Sequence, residues 1–532
     1  MVVKSIIKPN TFYDSVQLMR IANQLEKDSD IVDIAVLMGT NQNKSSLKQS
    51  NLLTPEVEKA SPNDLFIAVE AKDEETAARA INEAEEMITG AEDKMSYSSK
   101  GPIVYSLDGA LEHLPEANLA VLSIPGNYVK EEALQLLDKE INLLIFSDNV
   151  PLDDELTIKR KAAEKNLLVM GPDCGTAIID GTALAFANKV RKGNIGLVGA
   201  SGTGIQEVSS LIHNLGEGIS HAIGTGSNDI KKEIMGITTI EGLKRLNEDP
   251  ETDVITVVSK PPALEAAEKI MNAIKKINKP VVVLFLGAHQ EIDRGENYYI
   301  AETLEDAVLK SIALASDSNL KSLKKAYNKE IRSDLQGINN EIDNLQQQQR
   351  YVRGVYSGGT YTSEAAMLLN EKMSKVYSNA GTEGCLKLPD PMVSKAHSCV
   401  DMGEDEFTAG KPHPMLEPAM RHERILQEAE DPSTAVLLID VVLGYGVHPD
   451  PAGELTESIT QARKIAEEKG RYLPVVAFVC GVEDDPQVKS EQEKKLKEAG
   501  CIVLPSNAAA VRTAAIIADR QNYENVFKEG GF

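Results

Sequence analysis

Ile195-Gly-Leu-Val-Gly199-Ala-Ser201-Gly202-Thr203-Gly204-Ile-Gln-Glu207 is the stretch that decides the fold. An apolar run ends in a Gly/Ser turn and passes directly into a helix-forming segment, the junction made where a parallel strand hands the chain to its crossover helix. Glycines there let the backbone approach an anion closely, and the free N–H groups and dipole of a helix start attract negative charge. Ser201 and Thr203 add hydroxyl donors. No Gly-Lys-Ser/Thr follows, so this is not a Walker loop. The same residues also suit an ordinary tight turn with Ser201 capping the helix, and the loop alone does not separate the two readings.

Working outward, similar apolar runs recur at 194–199, 221–224, 253–258 and 281–286, each followed by a helix-forming stretch. Upstream, 119–124, 141–146 and 167–171 run into Pro-Gly-Asn, Ser-Asp-Asn and Pro-Asp-Cys-Gly. Downstream, 354–356, 435–442, 475–479 and 501–504 repeat the pattern. Continuous rather than alternating apolar runs mark strands covered on both faces, and right-handed crossovers make a doubly wound sheet the economical solution. Residues 1–95 differ: strands at 2–7, 31–37 and 64–70 and helices at 15–27 and 74–88 read as a small ferredoxin-like sandwich. The expected fold is α/β, with Rossmann-like and flavodoxin-like parallel-sheet domains preceded by that α+β domain. The expected divisions are 1–95, 96–192, 193–315, a polar helical linker or solvent-facing arm at 316–350, and 351–532.

At 532 residues the chain has room for about three to five domains. Lys plus Arg number 56 against 81 Asp plus Glu, a net charge of −25, which opposes nucleic-acid or anionic-membrane binding as a main function. Aromatic residues are 4% with no Trp, leaving little for base or sugar stacking. No apolar run approaches bilayer length, and the N-terminus lacks a signal-peptide core. The five Cys form no CxxC pair, which predicts a reduced, cytoplasmic protein with Cys174 a structural thiol. No metal-ligand spacing is evident, and neither metal nor cofactor is expected.

A second Gly-rich turn, Gly444-Tyr445-Gly446, ends the apolar run 435–442 before a helix at about 453–468. Two anion-type helix starts facing each other across a cleft would hold phosphate better than either alone. Ser357-Gly358-Gly359-Thr360 is a third, weaker junction of this kind. Lys411, His413, Arg421 and His448 sit on short loops and are candidates for contacting an anionic, planar substrate, although each singly suits a solvated loop.

Residues about 100–315 resemble the α subunit of succinyl-CoA synthetase through LIFSDNVPLDD (144–154), MGPDCGTAI (170–178), KGNIGLVGASGTGIQEV (192–208) and AIGTGSND (222–229). Residues about 351–520 resemble the C-terminal ligase domain of its β subunit through GVYSGGTYTSEA (354–365), VLLIDVVLGYG (436–446) and LPVVAFVCG (473–481). The fusion, together with FTAGKPHPM (407–415), resembles the FdrA family of acyl-CoA-synthetase-like proteins. By that resemblance 96–192 is a truncated CoA-binding-like domain, 193–315 a synthetase-like domain and 351–532 a ligase-CoA-like domain. Two helix starts, at 201–204 and 444–446, hold phosphate, and Asn228, Ser357, Gly358 and Gly359 line the substrate cleft.

The departures matter. The Gly-rich CoA pyrophosphate turn that opens the synthetase α subunit is missing, no ATP-grasp half is present, and the expected phosphohistidine loop is replaced by Gly287-Ala-His289-Gln-Glu-Ile-Asp-Arg294. FdrA-type proteins are linked to anaerobic allantoin breakdown, and the resemblance implies a subunit of oxamate carbamoyltransferase, interconverting oxalurate plus phosphate with oxamate plus carbamoyl phosphate alongside other subunits. Lys411, Arg421 or Arg294 would then orient the oxamate carboxylate. Two alternatives stand beside it: an acyl-CoA ligase subunit that borrows a nucleotide-binding protein and uses His289, or a non-catalytic scaffold.

Overall fold

Strand runs that are apolar on both faces demand cover on both sides, and the chain meets that demand twice over. The computed structural model describes residues 1–9, 11, 13, 15–26, 28, 30–40, 43–44, 47–48, 52–61, 64–95, 106–288, 295–334, 338–408 and 411–519. They divide into two compact units, Met1–His113 with Phe407–Pro412, and Leu114–Glu406 with His413–Phe532.

In the first unit Leu65–Ala71 is the central strand of an antiparallel sheet, between Val2–Lys8 and Ile31–Met38. Helices Ser15–Leu25 and Glu74–Met95 pack Leu18, Ala80, Ala84 and Ile88 onto Val36, Ile67 and Val69. On the other face Leu52 and Val57 cover Phe66 and Ala68. The strand order and the two helices on one face are those of the expected ferredoxin-like α+β layer.

The second unit holds three sheets. Leu119–Leu122, Asn142–Ile145 and Val169–Met170 form a small parallel one. A seven-stranded sheet runs Tyr298–Ile300, Val281–Phe285, Val254–Ser259, Lys192–Ala200, Ile219–Gly224, Thr176–Ile179 and Thr182–Ala185, with the last two joining antiparallel. This sheet therefore takes strands from both sides of residue 192. The other seven-stranded sheet is all parallel: Leu386–Lys387, Val376–Ser378, His397–Asp401, Tyr351–Tyr356, Thr434–Val442, Val475–Cys480 and Cys501–Leu504. Register brings Ala200, Ser259 and Phe285 level at one sheet end and Tyr356 level with Asp401 at the other sheet's end. Ligands of open α/β sheets bind at such carboxyl ends.

One continuous apolar core joins the two large sheets, taking in Leu197, Ile205 and Ile212 from one side and Tyr356, Tyr361, Leu438 and Phe478 from the other. Helices Gly202–Asn214 and Gly359–Lys372 lie within it. Nearly every residue from Gly204 to His213 is buried, as are Thr360–Ala366. Gly, Thr and Ser on both helices, with Ala on the second, keep the contact close. Among the described residues no helix is long and apolar enough to cross a membrane.

The segment 316–350 corrects the sequence expectation. It is helical over Leu320–Asp334 and Ile338–Asp343, but it is packed rather than solvent-facing: Tyr327, Ile331, Ile338 and Leu345 are buried in the shared core, with Leu320 and Leu323 against it. Leu320, Leu323, Tyr327 and Ile331 fall on one helical face, a sparse stripe masked by the Lys and Asn between them. Ile331→Ala is expected to cost about 2–5 kcal/mol, the range for truncating a buried aliphatic side chain. Urea unfolding followed by circular dichroism measures it, and an unchanged midpoint would return the helix to a solvent-facing arm.

Candidate functional site

Ser201 has extended backbone and caps the 202–214 helix, its Oγ accepting the Gly204 N–H at 3.2 Å. The partner that the fold brings to it is Thr360, whose Oγ1 lies 2.6 Å from Ser201 Oγ. Thr360 stands in the first turn of the 359–372 helix, whose N-cap, Gly358, offers no side-chain bond. Tyr361 OH donates to Thr203 O at 2.8 Å, and a Cβ on Gly358 would stand 3.0 Å from Thr203 Cγ2. Two helix starts thus meet, and the leading N–H groups of a helix have no intrahelical acceptor. Gly358 and Gly359 have room for no side chain: a Cβ on Gly359 would lie 2.5 Å from Asp401 Oδ2 and 3.4 Å from Lys260 Nζ.

The expected pairing of 201–204 with 444–446 is therefore corrected. Gly444 and Gly446 adopt positive φ, 122° and 77°, to shape a turn rather than to open a helix. The Gly444 N–H is held by Gln487 Oε1 at 3.0 Å and the Tyr445 N–H by Ala187 O at 2.9 Å. The helix beyond begins only at Pro451, and its start is filled by the Asp450 carboxylate, which accepts from Gly453 N at 3.1 Å and pairs with Lys495 at 2.7 Å. A start already holding a carboxylate does not recruit a second anion. The Ser357–Thr360 junction, read as the weaker one, supplies the facing helix.

Several other expected side chains serve the framework. Arg421 is buried and spans the ends of two strands, donating to Asp440 O at 2.8 Å and Val355 O at 2.5 Å while pairing with the Asp440 carboxylate at 3.0 Å. Asp440 in turn accepts from Ser357 N and Oγ, both at 2.8 Å. Arg421 so fixes the 357–360 turn from a buried position, its two terminal nitrogens engaged and only Nε without a partner among the described residues. Asn228 donates to Glu155 Oε2 at 2.9 Å, beside the buried Lys159, which pairs with Glu155 at 2.9 Å and Asp229 at 2.8 Å. His448 Nδ1 accepts from Asp450 N at 3.1 Å. His413 Nδ1 accepts from Met415 N at 3.2 Å, and burial pushes its imidazole down to about 4, so it is neutral. Lys411 is exposed and groups with the first unit. His289 and Arg294 lie outside the described residues. Cys174 donates to Gly224 O at 3.4 Å, and burial pushes its thiol up to about 12.

Three residues that the sequence did not single out complete the cleft. Asp401 ends its strand beside Gly359, and burial raises its carboxyl to about 7, aided by Glu404 and opposed by the Gly403 N–H and Lys260. Asp173 follows the turn at Gly171-Pro172, where a Cβ on Gly226 would meet Pro172 O at 1.9 Å. Asp173 keeps an exposed edge, yet desolvation by the surrounding protein raises its carboxyl to about 6, with Asp148 adding to the shift and Ser227 and Lys260 opposing it. Lys260, just past the strand Val254–Ser259, faces both carboxyls. Asp173 lies inside the MGPDCGTAI stretch, whereas no motif marks Asp401, which closes a strand, or Lys260, which follows one.

Two helical turns or less behind the helix starts, Glu207 and Glu364 are fully buried, one on each helix. Asn507 ties them, donating from its backbone N to Glu207 Oε1 at 2.9 Å and from Nδ2 to Glu364 Oε2 at 2.8 Å and Tyr361 O at 3.1 Å. Glu207 Oε2 has no hydrogen-bond partner among the described residues. Desolvation, with each acid adjoining other carboxylates, raises Glu207 well above its ordinary value and Glu364 to about 7. A carboxyl raised by folding stabilises the fold fully below its unfolded value near 4.5 and loses that contribution as pH rises through the raised one. Glu207→Gln keeps the acceptor for Asn507 and removes the charge. The variant is expected to melt several degrees above wild type at pH 8 and to match it near pH 5; equal melting curves at pH 8 would show Glu207 ionised without cost.

Among the described residues no group of three or more His, Cys, Asp or Glu could hold a metal ion. The chain matches family models described as CoA-ligase over residues 355–517, as CoA binding domain over 190–287, and as AllF, heavy metal-associated domain over 1–102. Residues 1–102 contain neither Cys nor His, so the thiolates and imidazoles that suit soft metals are lacking and the segment does not fit a heavy-metal centre. The chain is 28% identical over 175 residues to the ADP-forming succinate–CoA ligase subunit alpha 1 of Archaeoglobus fulgidus, covering 32% of this chain and 58% of that one. It is 28% identical over 196 residues to the ADP-forming sulfoacetate-CoA ligase subunit SqwL of an Acholeplasma species, 35% of this chain and 64% of that one. It thus spans about three fifths of those ligase subunits. With YahF of Escherichia coli K12 it shares 40% identity over 507 residues, 95% of this chain and 97% of the relative. Identity on that scale along nearly both whole lengths, with CoA-binding and CoA-ligase segments supplying the two facing helix starts, makes the chain a member of the YahF family of FdrA-type, acyl-CoA-synthetase-like proteins.

Proposed function

We propose that this chain carries the group-transfer half of an acyl-CoA-synthetase-type enzyme, with the phosphoryl end of an acyl phosphate held between the starts of the 202–214 and 359–372 helices. The contact of Ser201 with Thr360 at 2.6 Å carries the reading, because it brings together two helix starts whose leading backbone N–H groups lack intrahelical acceptors, that of Gly204 going to Ser201 Oγ. The two helices come from the segments similar to CoA-binding and CoA-ligase models, which supports an acyl group passing between phosphate and the thiol of coenzyme A.

In that reaction the thiol sulfur bonds to the acyl carbon and the carbon–oxygen bond to phosphate breaks. The leaving electron pair stays on the phosphate oxygen, where the helix-start N–H groups stabilise the growing charge. The thiol proton passes to a carboxylate, and Asp401, raised to about 7 beside Gly359, has the basicity for it near neutral pH. Phosphoryl exchange with nucleotide falls to a partner chain in this reading, since no ATP-grasp half is recognisable in the sequence.

The AllF-type match at 1–102 favours a second reading, carbamoyl transfer in allantoin breakdown. The same cradle would accept carbamoyl phosphate, with oxamate as acceptor. The readings share the phosphate site and differ in the acceptor, so turnover of acetyl phosphate with CoA against carbamoyl phosphate with oxamate, in the presence of partner subunits, separates them.

Thr203→Asp tests the shared site. An aspartate in the first turn of a helix is favoured by the dipole, so the fold is retained, while its carboxylate occupies the place of the anion. Inorganic phosphate binding measured by calorimetry is expected to weaken by roughly tenfold or more, about 1.4 kcal/mol. Undiminished phosphate affinity would remove the helix starts from the mechanism.

A further inference from the structure

The stretch FTAGKPHPM (407–415) lies between the segments that resemble the synthetase β subunit, and the phosphate cradle uses none of it. One of its side chains, His413, nevertheless reaches the cleft. A Cβ on Gly403 would stand 2.5 Å from His413 Nε2, 3.1 Å from Asp401 Oδ1 and 3.2 Å from Ser357 O. The Gly403 N–H donates to Asp401 Oδ1 at 2.8 Å, while Asp401 Oδ2 faces Gly359 at the start of the 359–372 helix. The imidazole edge, the carboxyl and the helix start therefore lie side by side.

The two ring nitrogens have different duties. Nδ1 accepts the Met415 N–H at 3.2 Å, and a backbone amide nitrogen can only donate, so the proton of the neutral ring is on Nε2. Desolvation pushes the imidazole down to about 4, and the ring stays neutral near pH 7. The His413 carbonyl accepts from Leu416 N at 2.8 Å and Glu417 N at 3.1 Å, and Pro414 follows, so the ring is carried on a stiff turn. Nε2–H itself makes no hydrogen bond among the described residues. A proton on Nε2 makes the ring a donor rather than a nucleophile, and a neutral imidazole can polarise a carbonyl without giving its proton up.

We infer that His413 Nε2–H is the hydrogen-bond donor to the carbonyl oxygen of the acyl or carbamoyl group whose phosphate lies between the helix starts. The inference rests on the proposed phosphate cradle and adds a catalytic residue that both readings of the reaction share. The acceptor's electron pair bonds to the carbonyl carbon, and the C=O π pair moves onto oxygen, where His413 Nε2–H meets the growing charge. That pair returns as the carbon–oxygen bond to phosphate breaks, and the electrons of the broken bond leave with the phosphate. The acceptor's proton passes to Asp401, so the imidazole neither gains nor loses one.

Calorimetry on the full chain tests this with phosphonates that mimic acyl phosphates but transfer nothing. Acetonylphosphonate and phosphonoacetamide carry the carbonyl, and propylphosphonate lacks it. At least one carbonyl-bearing phosphonate is expected to bind the wild type roughly three- to tenfold tighter than propylphosphonate, the worth of one hydrogen bond. His413→Asn keeps an acceptor for the Met415 N–H but withdraws the Nε2 donor. It is expected to bring that ratio to about one while inorganic phosphate affinity moves by less than about twofold. His413→Gln does the reverse, placing an amide N–H where Nε2 stood, and is expected to keep most of the preference. A purely structural histidine would show the opposite order, since Asn preserves the framework bond and Gln loses it. No carbonyl preference in the wild type, a preference retained in His413→Asn or lost in His413→Gln, or loss of phosphate binding in His413→Asn would each overturn the role and leave the cradle standing. Failure of the wild type to bind phosphate or any phosphonate would instead sink the cradle, and this role with it.

Discussion

Two helices pointing their N-termini at one spot set like ends of two dipoles against each other, about half a positive charge apiece. Nothing in either helix alone favours that arrangement, and the rest of the second unit can be understood as what makes it tolerable. Behind the starts, the carboxyls of Glu207 and Glu364 are joined through Asn507, one residue donating to both helices. At the starts, the Ser201 and Thr360 hydroxyls share a hydrogen bond. In front, Asp401 Oδ2 stands against Gly359. Carboxyl groups raised by burial lie on both sides of the junction, and the open position at the helix starts, where the dipoles' positive ends meet, is suited to a ligand anion. The all-apolar strands matter because only a core shared by both sheets can hold two helices end to end without solvent relieving the repulsion.

How much of this was legible in the chain depends on whether the signal was local. The strand–turn–helix at 195–207 was read from sequence because strand, turn and cap are contiguous there, and the ferredoxin-like order of the first unit followed from periodicity. The partner of Ser201 was misread because glycine spacing says that a backbone can bend, not whether its N–H groups are free. Gly444 and Gly446 spend their freedom on a turn whose amides go to Gln487 and Ala187, while Ser357-Gly358-Gly359 looked plainer and leaves its helix start open. The contact that decides between them joins residues 201 and 360, far beyond any sequence window.

Charge was misleading for the same reason. Arg421 and Asp440 are ordinary loop and strand residues in sequence, yet together they bolt down the 357 turn. Lys260 carries no motif, being one Lys after a strand, and only its neighbours mark it out. The stripe Leu320, Leu323, Tyr327 and Ile331 was hidden by the charged residues between its members, although its spacing is helical. The first unit supplies the opposite case: a domain whose family description names heavy metals but whose sequence lacks every soft ligand except methionine. There the composition alone decides, since no folding can bring together donors that are absent.

The cleft's protonation state follows from the same constraint. Asp173 and Asp401, raised to about 6 and about 7, sit on either side of one lysine. Near neutral pH the two carboxyls are therefore within reach of protonation. An incoming anion raises both carboxyls further, because a like charge disfavours their ionised forms, and so binding of phosphate or carboxylate draws a proton into the cleft. Departure of the anion lowers them and releases it. A thiol that must lose a proton when it attacks, and a phosphate whose charge grows as it leaves, both need that exchange at the moment the anion's charge changes. Proton and anion are coupled here because two raised carboxyls and one lysine stand near one another beside the helix starts.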